Sequence, residues 1–276
     1  MLAPSSPAAS ARSPSHANVL TTWQQSMALL THLWLPTLSV LGLSLSLAQT
    51  LESARIFVPG LLSLMAGVLL VYTCDRLLEV GRVAAPLRGF LWLSAAVSAM
   101  ACVICAALWP ARLFLVQGLL GIAAGLYVWL KHYAAAKTSI VAATWCIACS
   151  LLPIQQGGDA VPYYLVITPQ ALSIALMVAA GAIMCDYKDE VVDRAAHVWS
   201  LPLYLGHGRT VWLTSLLALM AALLAYWVRA WSLVATAALI CMLGLRPSLL
   251  ARPLLGPVLV DGVLALSGPF SWLMAS

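Results

Sequence analysis

Charge is what this sequence has least of. Only 8% of its 276 residues are Asp, Glu, Lys or Arg, and 63% are hydrophobic, whereas roughly a quarter of an ordinary soluble domain is charged. So few charges cannot cover a water-facing surface for a chain of this length, which excludes a soluble single-core fold. The mean hydropathy of +0.97 is that of a polytopic membrane protein. Runs of basic residues are also lacking, which argues against a nucleic-acid partner. The 7 cysteines are odd in number and sit within apolar stretches, which argues against a disulfide framework. Cys102/Cys105 and Cys146/Cys149 have the spacing of metal ligands, but no cluster of His or further Cys stands beside them, so packing is the expected role.

What the chain does have is a succession of apolar segments. Residues 1–22, rich in Ala, Ser and Pro, read as a flexible cytoplasmic tail, and residues 23–276 as one transmembrane domain. Within that domain about nine segments approach the ~20 residues that a bilayer requires. They run from Ser26 to Ala48, Phe57 to Val80, Phe90 to Leu108, Leu113 to Leu130, Thr138 to Ile154, Val161 to Cys185, Val211 to Val228, Trp231 to Leu245 and Leu254 to Met274. The expected fold class is therefore all-α and polytopic. With the tail inside, this count puts every Lys and Arg on the inner face except Arg55, Arg112 and Arg229, the asymmetry that membrane insertion favours.

The acids, only 9 in number, gather at the same face. Asp75 and Glu79 stand at i and i+4 at the inner end of the second segment. Asp186, Asp189 and Asp193, with Glu190 among them, stand at i, i+3 and i+7 at the inner end of the sixth. On a helix these three aspartates share one face. Three like charges repel, and the negative end of a helix adds to the repulsion, so a cation is expected to neutralise them. Magnesium suits the position, being a hard ion that bridges a few carboxylates to substrate phosphate oxygens. Asp75 and Glu79 would supply a second pair across a cavity. The other reading open at this point is a solvated inner loop whose acids pair with Arg76, Lys188 and Arg194. An ion-transport site is also open, but such sites tend toward the midplane of the membrane rather than its edge. Asp261 lies inside the last segment, where a polar contact within the bundle is expected.

At this point the sequence resembles the UbiA superfamily of intramembrane prenyltransferases. The likeness rests on Asp186, Asp189 and Asp193, which match an Asp-x-x-Asp-x-x-x-Asp motif, and on the segment Ser200-Leu201-Pro202-Leu203-Tyr204-Leu205-Gly206 that follows it. Tyr127 and Lys131 are similar to the family's Tyr-x-x-x-Lys-Arg, with His132 in place of the Arg. The first motif, usually Asn-Asp-x-x-Asp-x-x-x-Asp, departs from the pattern. Val71 and Tyr72 replace its Asn and first Asp, and Asp75 and Glu79 keep its second half.

The resemblance implies a helical bundle around a lipid-open cavity, an integral protein of a bacterial inner membrane with its tail and Asp-rich motifs on the cytoplasmic side. It implies Mg2+-dependent transfer of an isoprenyl group from its diphosphate to an aromatic or lipophilic acceptor. Asp75, Glu79, Asp186, Asp189 and Asp193 would be the metal ligands. Lys131, Arg76 and Arg194 would hold the diphosphate, and Tyr127 would bond to it or open the prenyl channel. A terpene cyclase of the same superfamily and a non-catalytic isoprenoid-diphosphate-binding protein are the alternatives.

Overall fold

A computed structural model describes residues 22–51, 55–78, 85–108, 111–130, 133–155, 163–195, 200–252 and 254–275. The expected tail lies outside these residues apart from Thr22, as do two of the expected site residues, Glu79 and Lys131. The architecture is helical, and the protein is an integral membrane protein by the length and composition of its helices. The elements in chain order are α1 (Thr22–Thr50), β1 (Arg55–Ile56), α2 (Val58–Leu78), α3 (Ala85–Ala107), α4 (Ala111–Leu130), α5 (Ala134–Leu151), β2 (Ile154–Gln155) and α6 (Pro169–Cys185). There follow α7 (Glu190–Ala195), α8 (Leu201–Leu205), α9 (His207–Trp227), α10 (Trp231–Gly244), α11 (Pro247–Leu250) and α12 (Leu255–Ala275). Among the described residues, six helices (α1, α2, α3, α6, α9 and α12) are long and apolar enough to cross a membrane. The other three expected segments fall on the shorter apolar helices α4, α5 and α10.

The sixth segment departs from expectation. Instead of one helix from Val161, a 3₁₀ turn at Tyr163–Ile167 precedes α6. Pro169 has no amide to continue a helix and restricts the residue before it. Thr168 is accordingly extended and becomes the N-cap, its hydroxyl accepting from the amide of Ala171 at 3.3 Å. The helix also stops sooner than the aspartate spacing suggests. It ends at Cys185, a 3₁₀ turn covers Asp186–Lys188, and α7 begins at Glu190. The three aspartates thus span a turn between helices rather than one helical face.

In lipid the hydrophobic effect does not hold helices together, so close approach and interhelical hydrogen bonds must do so. Helices α1 and α12 meet where an added Cβ on Gly42 would stand 2.3 Å from the carbonyl oxygen of Ala265. The Ser39 hydroxyl donates across the same seam to the carbonyl oxygen of Asp261 at 2.7 Å. Ser46 bonds Ser232 of α10 at 2.6 Å, and Ser173 of α6 donates to the Ala221 carbonyl of α9 at 2.9 Å. Helix α6 is central, with Ile174, Met177, Ala180 and Met184 fully buried. At the other end of the bundle, antiparallel β1 and β2 pair Arg55 with Gln155 and Ile56 with Ile154, tying the start of α2 to the end of α5. Helix α4 packs against α5, and residues of α2, α4 and α5 line the space described next.

Candidate active site

A cavity of about 270 Å³ lies between α2, α4 and α5, with Val40 of α1 and Cys102 of α3 completing its wall. Its lining is almost wholly apolar: Leu64, Val68 and Val71 from α2, Leu120 and Ala124 from α4, and Val141 and Ala148 from α5. Three aromatic rings, those of Tyr72, Tyr127 and Trp145, face it, and Asp75 is the carboxylate on its wall. Val71 and Tyr72, the residues that replace half of the first motif, thus line the same chamber as the surviving Asp75. Gly67 leaves that wall bare, since a Cβ built there meets nothing within 4 Å.

Beside this chamber stands the second cluster. The phenol of Tyr127 is acted on by the charges of Lys137, Asp75, Asp186 and Arg76, so the two acidic motifs converge on one residue of α4. Asp186 is 1% exposed. One of its oxygens accepts from the ammonium of Lys137, in the first turn of α5. Its second oxygen, Oδ2, is buried with no hydrogen-bond partner among the described residues. Asp189 is half-exposed and pairs with Lys188. Asp193, in α7, lies within reach of the charges of Asp186, Asp189 and Lys137. Burial pushes its carboxyl above the usual carboxylate range, and the Lys137 charge opposes that rise.

The remaining expected residues separate. Arg76 shares the inner end of α2 with Asp75 and acts on Tyr127. Arg194 is 72% exposed and reaches back one turn to Glu190 at 3.0 Å. Glu190 also bonds His207, the first residue of α9, at 2.6 Å, and the His207 ring packs edge-on against Tyr187 with 5.4 Å between centroids. These contacts fasten α7 to the start of α9, where Gly206 at φ 75° makes the turn that a side chain would oppose. Asp261 is placed within the bundle, where its charge acts on Tyr72 and is itself acted on by Lys188.

Three residues of this region escape motif reading. Lys137 is six positions past the motif lysine, on a helix of its own. Lys188 reads in sequence only as a neighbour of acids. His32 of α1 stands among Arg76, Lys188, Asp189 and Asp75, between the two motifs. The one signal in sequence for His32 is a polar residue at the inner end of an apolar segment.

The fit of a divalent cation can be judged from these donors. No group of three His, Cys, Asp or Glu gathers into a metal cage among the described residues. Magnesium, however, is usually held by one or two carboxylates plus substrate phosphate oxygens, with waters completing the shell. An unpartnered buried Asp186 Oδ2, with Asp189 and Asp193 nearby and Asp75 facing through Tyr127, meets that requirement.

No protein-family model matches this chain, and no curated protein does. A solved structure of digeranylgeranylglyceryl phosphate synthase in membranes is similar. It shares 14% identity over 91% of this chain and 94% of its own, with a TM-score of 0.48.

Proposed function

We propose that this protein transfers an isoprenyl group from an isoprenyl diphosphate to an aromatic or lipophilic acceptor within the membrane, with Mg2+ as cofactor. The observation that carries the reading is an apolar, aromatic-lined cavity with Asp75 and Tyr127 on its wall, Tyr127 lying within reach of the charges of the Lys137–Asp186 pair. A substrate with a long apolar chain and an anionic head matches that arrangement.

Charge arithmetic supports the need for a metal. Asp75, Asp186, Asp189, Glu190 and Asp193 stand against Arg76, Lys137, Lys188 and Arg194, so this region is acidic before any substrate arrives. A diphosphate adds further negative charge and requires a cation to bring it in. Bound Mg2+ would supply charge neutralisation for the departing diphosphate, held by Asp186, Asp189 and Asp193 with Asp75, and Glu79 completing the set. Arg76 and Lys131 are assigned to the diphosphate oxygens, and Tyr127, on the cavity wall, to orienting the head of the substrate. Arg194, turned to solvent on Glu190, would hold α7 in place or swing to the diphosphate. The aliphatic wall keeps water from the allylic cation, while the faces of Tyr72, Tyr127 and Trp145 attract it.

The distribution of basic residues supports a cytoplasmic position for the Asp-rich face and the tail, and we assign the protein to a bacterial inner membrane. A phosphorylated substrate would then enter from the cytosol.

The test is product analysis on the detergent-solubilised chain, with geranyl, farnesyl or geranylgeranyl diphosphate, with and without Mg2+ and a phenolic acceptor. The expected outcome is Mg2+-dependent pyrophosphate release with a prenylated acceptor, reduced at least about tenfold by Asp189→Asn. Hydrocarbon or terpene alcohol formed without acceptor would assign a cyclase instead. Binding without pyrophosphate release would make the chain a carrier.

A further inference from the structure

The pair of Lys137 with Asp186 is incomplete in an instructive way. A buried carboxylate is costly unless its lone pairs are met, yet among the described residues only Oδ1 of Asp186 has a partner and Oδ2 has none. The ammonium that meets Oδ1 stands in the first turn of α5, at the positive end of that helix, where a cation is disfavoured. It is also the common neighbour of the other motif acids, since its charge acts on Asp189 and on Asp193. Lys188 pairs with Asp189, and Lys137 is the cation bonded to the buried Asp186 while its charge reaches all three aspartates of the motif. The Lys137 ammonium is carried on a flexible four-carbon stem, and its side chain is 24% exposed.

A divalent ion approaching Oδ2 meets the repulsion of that ammonium. A diphosphate removes the conflict, because its oxygens receive the ammonium while the ion takes the carboxylate. We propose that Lys137 is a resident cation of the carboxylate site, one that holds Asp186 while the site is empty and passes to the diphosphate when a divalent ion enters. Metal and diphosphate then bind as a unit, and neither binds well alone. This rests on the assignment of the aspartates to a metal–diphosphate site. It adds a coupling device, and a diphosphate ligand that the motifs do not contain.

The experiment uses the full chain in detergent, Mn2+ as the metal probe read by electron paramagnetic resonance, and inorganic pyrophosphate as the anion. In the wild type, pyrophosphate tightens Mn2+ by about tenfold or more, and Mn2+ tightens pyrophosphate by the same factor, as linkage requires. In Lys137→Met, Mn2+ alone binds about tenfold more tightly, because the ammonium bonded to Asp186 no longer competes, and the coupling shrinks. In Lys137→Arg the coupling survives, and Mn2+ alone binds no better than in the wild type. Wild-type Mn2+ affinity and coupling in Lys137→Met would overturn the proposal. So would wild-type Mn2+ binding indifferent to pyrophosphate, an outcome that does not depend on any variant folding. If Mn2+ does not bind at all, the metal assignment falls as well. If coupling is intact but no prenyl diphosphate releases pyrophosphate, the role of Lys137 stands and the transferase reading fails.

Discussion

Gly67 faces open space on the cavity wall, and nothing stands within 4 Å of where its side chain would begin. Gly67→Leu should therefore occupy the chamber without disturbing the helices around it. The expected result is loss of prenyl diphosphate turnover with no fall in thermal stability, because a helical glycine is itself up to about 1 kcal/mol less favourable than a better helix former. Activity assays paired with melting of the detergent-solubilised variant check both halves. An unchanged turnover would mean that the substrate chain lies elsewhere. At this scale the sequence was only partly legible. Asp75, Asp186, Asp189 and Asp193 stand out because acids are scarce, and they do converge. Lys137 and His32 do not stand out, because each reaches the site from a different helix and only three-dimensional packing brings them together.

Among the elements, the α1–α12 seam depends on backbone approach. Gly42 lies against Ala265 so closely that an added Cβ would overlap its carbonyl oxygen, and Gly268, one turn further along α12, also lies against Gly42. Gly42→Val should force these helices apart at a cost of about 1–3 kcal/mol, the range typical of overpacked cores. The measurement is loss of the folded fraction in detergent titration, with Gly67→Leu as the tolerant control. Helix extents followed from apolar run length, because spanning a bilayer imposes a length that hydropathy reveals. The exceptions are the breaks at Thr168 and Cys185. Pro169 makes the first legible in retrospect. The second is a tertiary effect: the chain leaves α6 where buried Asp186 pairs with Lys137 and the more exposed Asp189 pairs with Lys188.

For the whole molecule, the asymmetry of basic residues predicts orientation. A reporter inserted at the α9–α10 turn beside Arg229 should be active only as a non-cytoplasmic reporter, and one between α10 and α11 beside Arg246 only as a cytoplasmic one. The opposite pattern would place the acidic cluster on the outer face and remove the cytosolic substrate from the account.

The central claim is that the apolar cavity receives the chain of a prenyl diphosphate whose head lies at the Asp75–Asp186 end. A farnesyl diphosphate analogue bearing a photoreactive group at its far end, crosslinked to the purified protein and mapped by mass spectrometry, tests it most directly. The expected result is Mg2+-dependent labelling around Ser63, Gln117 and Leu152, the lining residues that α2, α4 and the end of α5 place farthest in sequence from Asp75, Tyr127 and Lys137 respectively. Labelling should be suppressed by unlabelled farnesyl diphosphate. Labelling confined to the lipid-facing sides of α3 or α9, or unaffected by competitor, would contradict it.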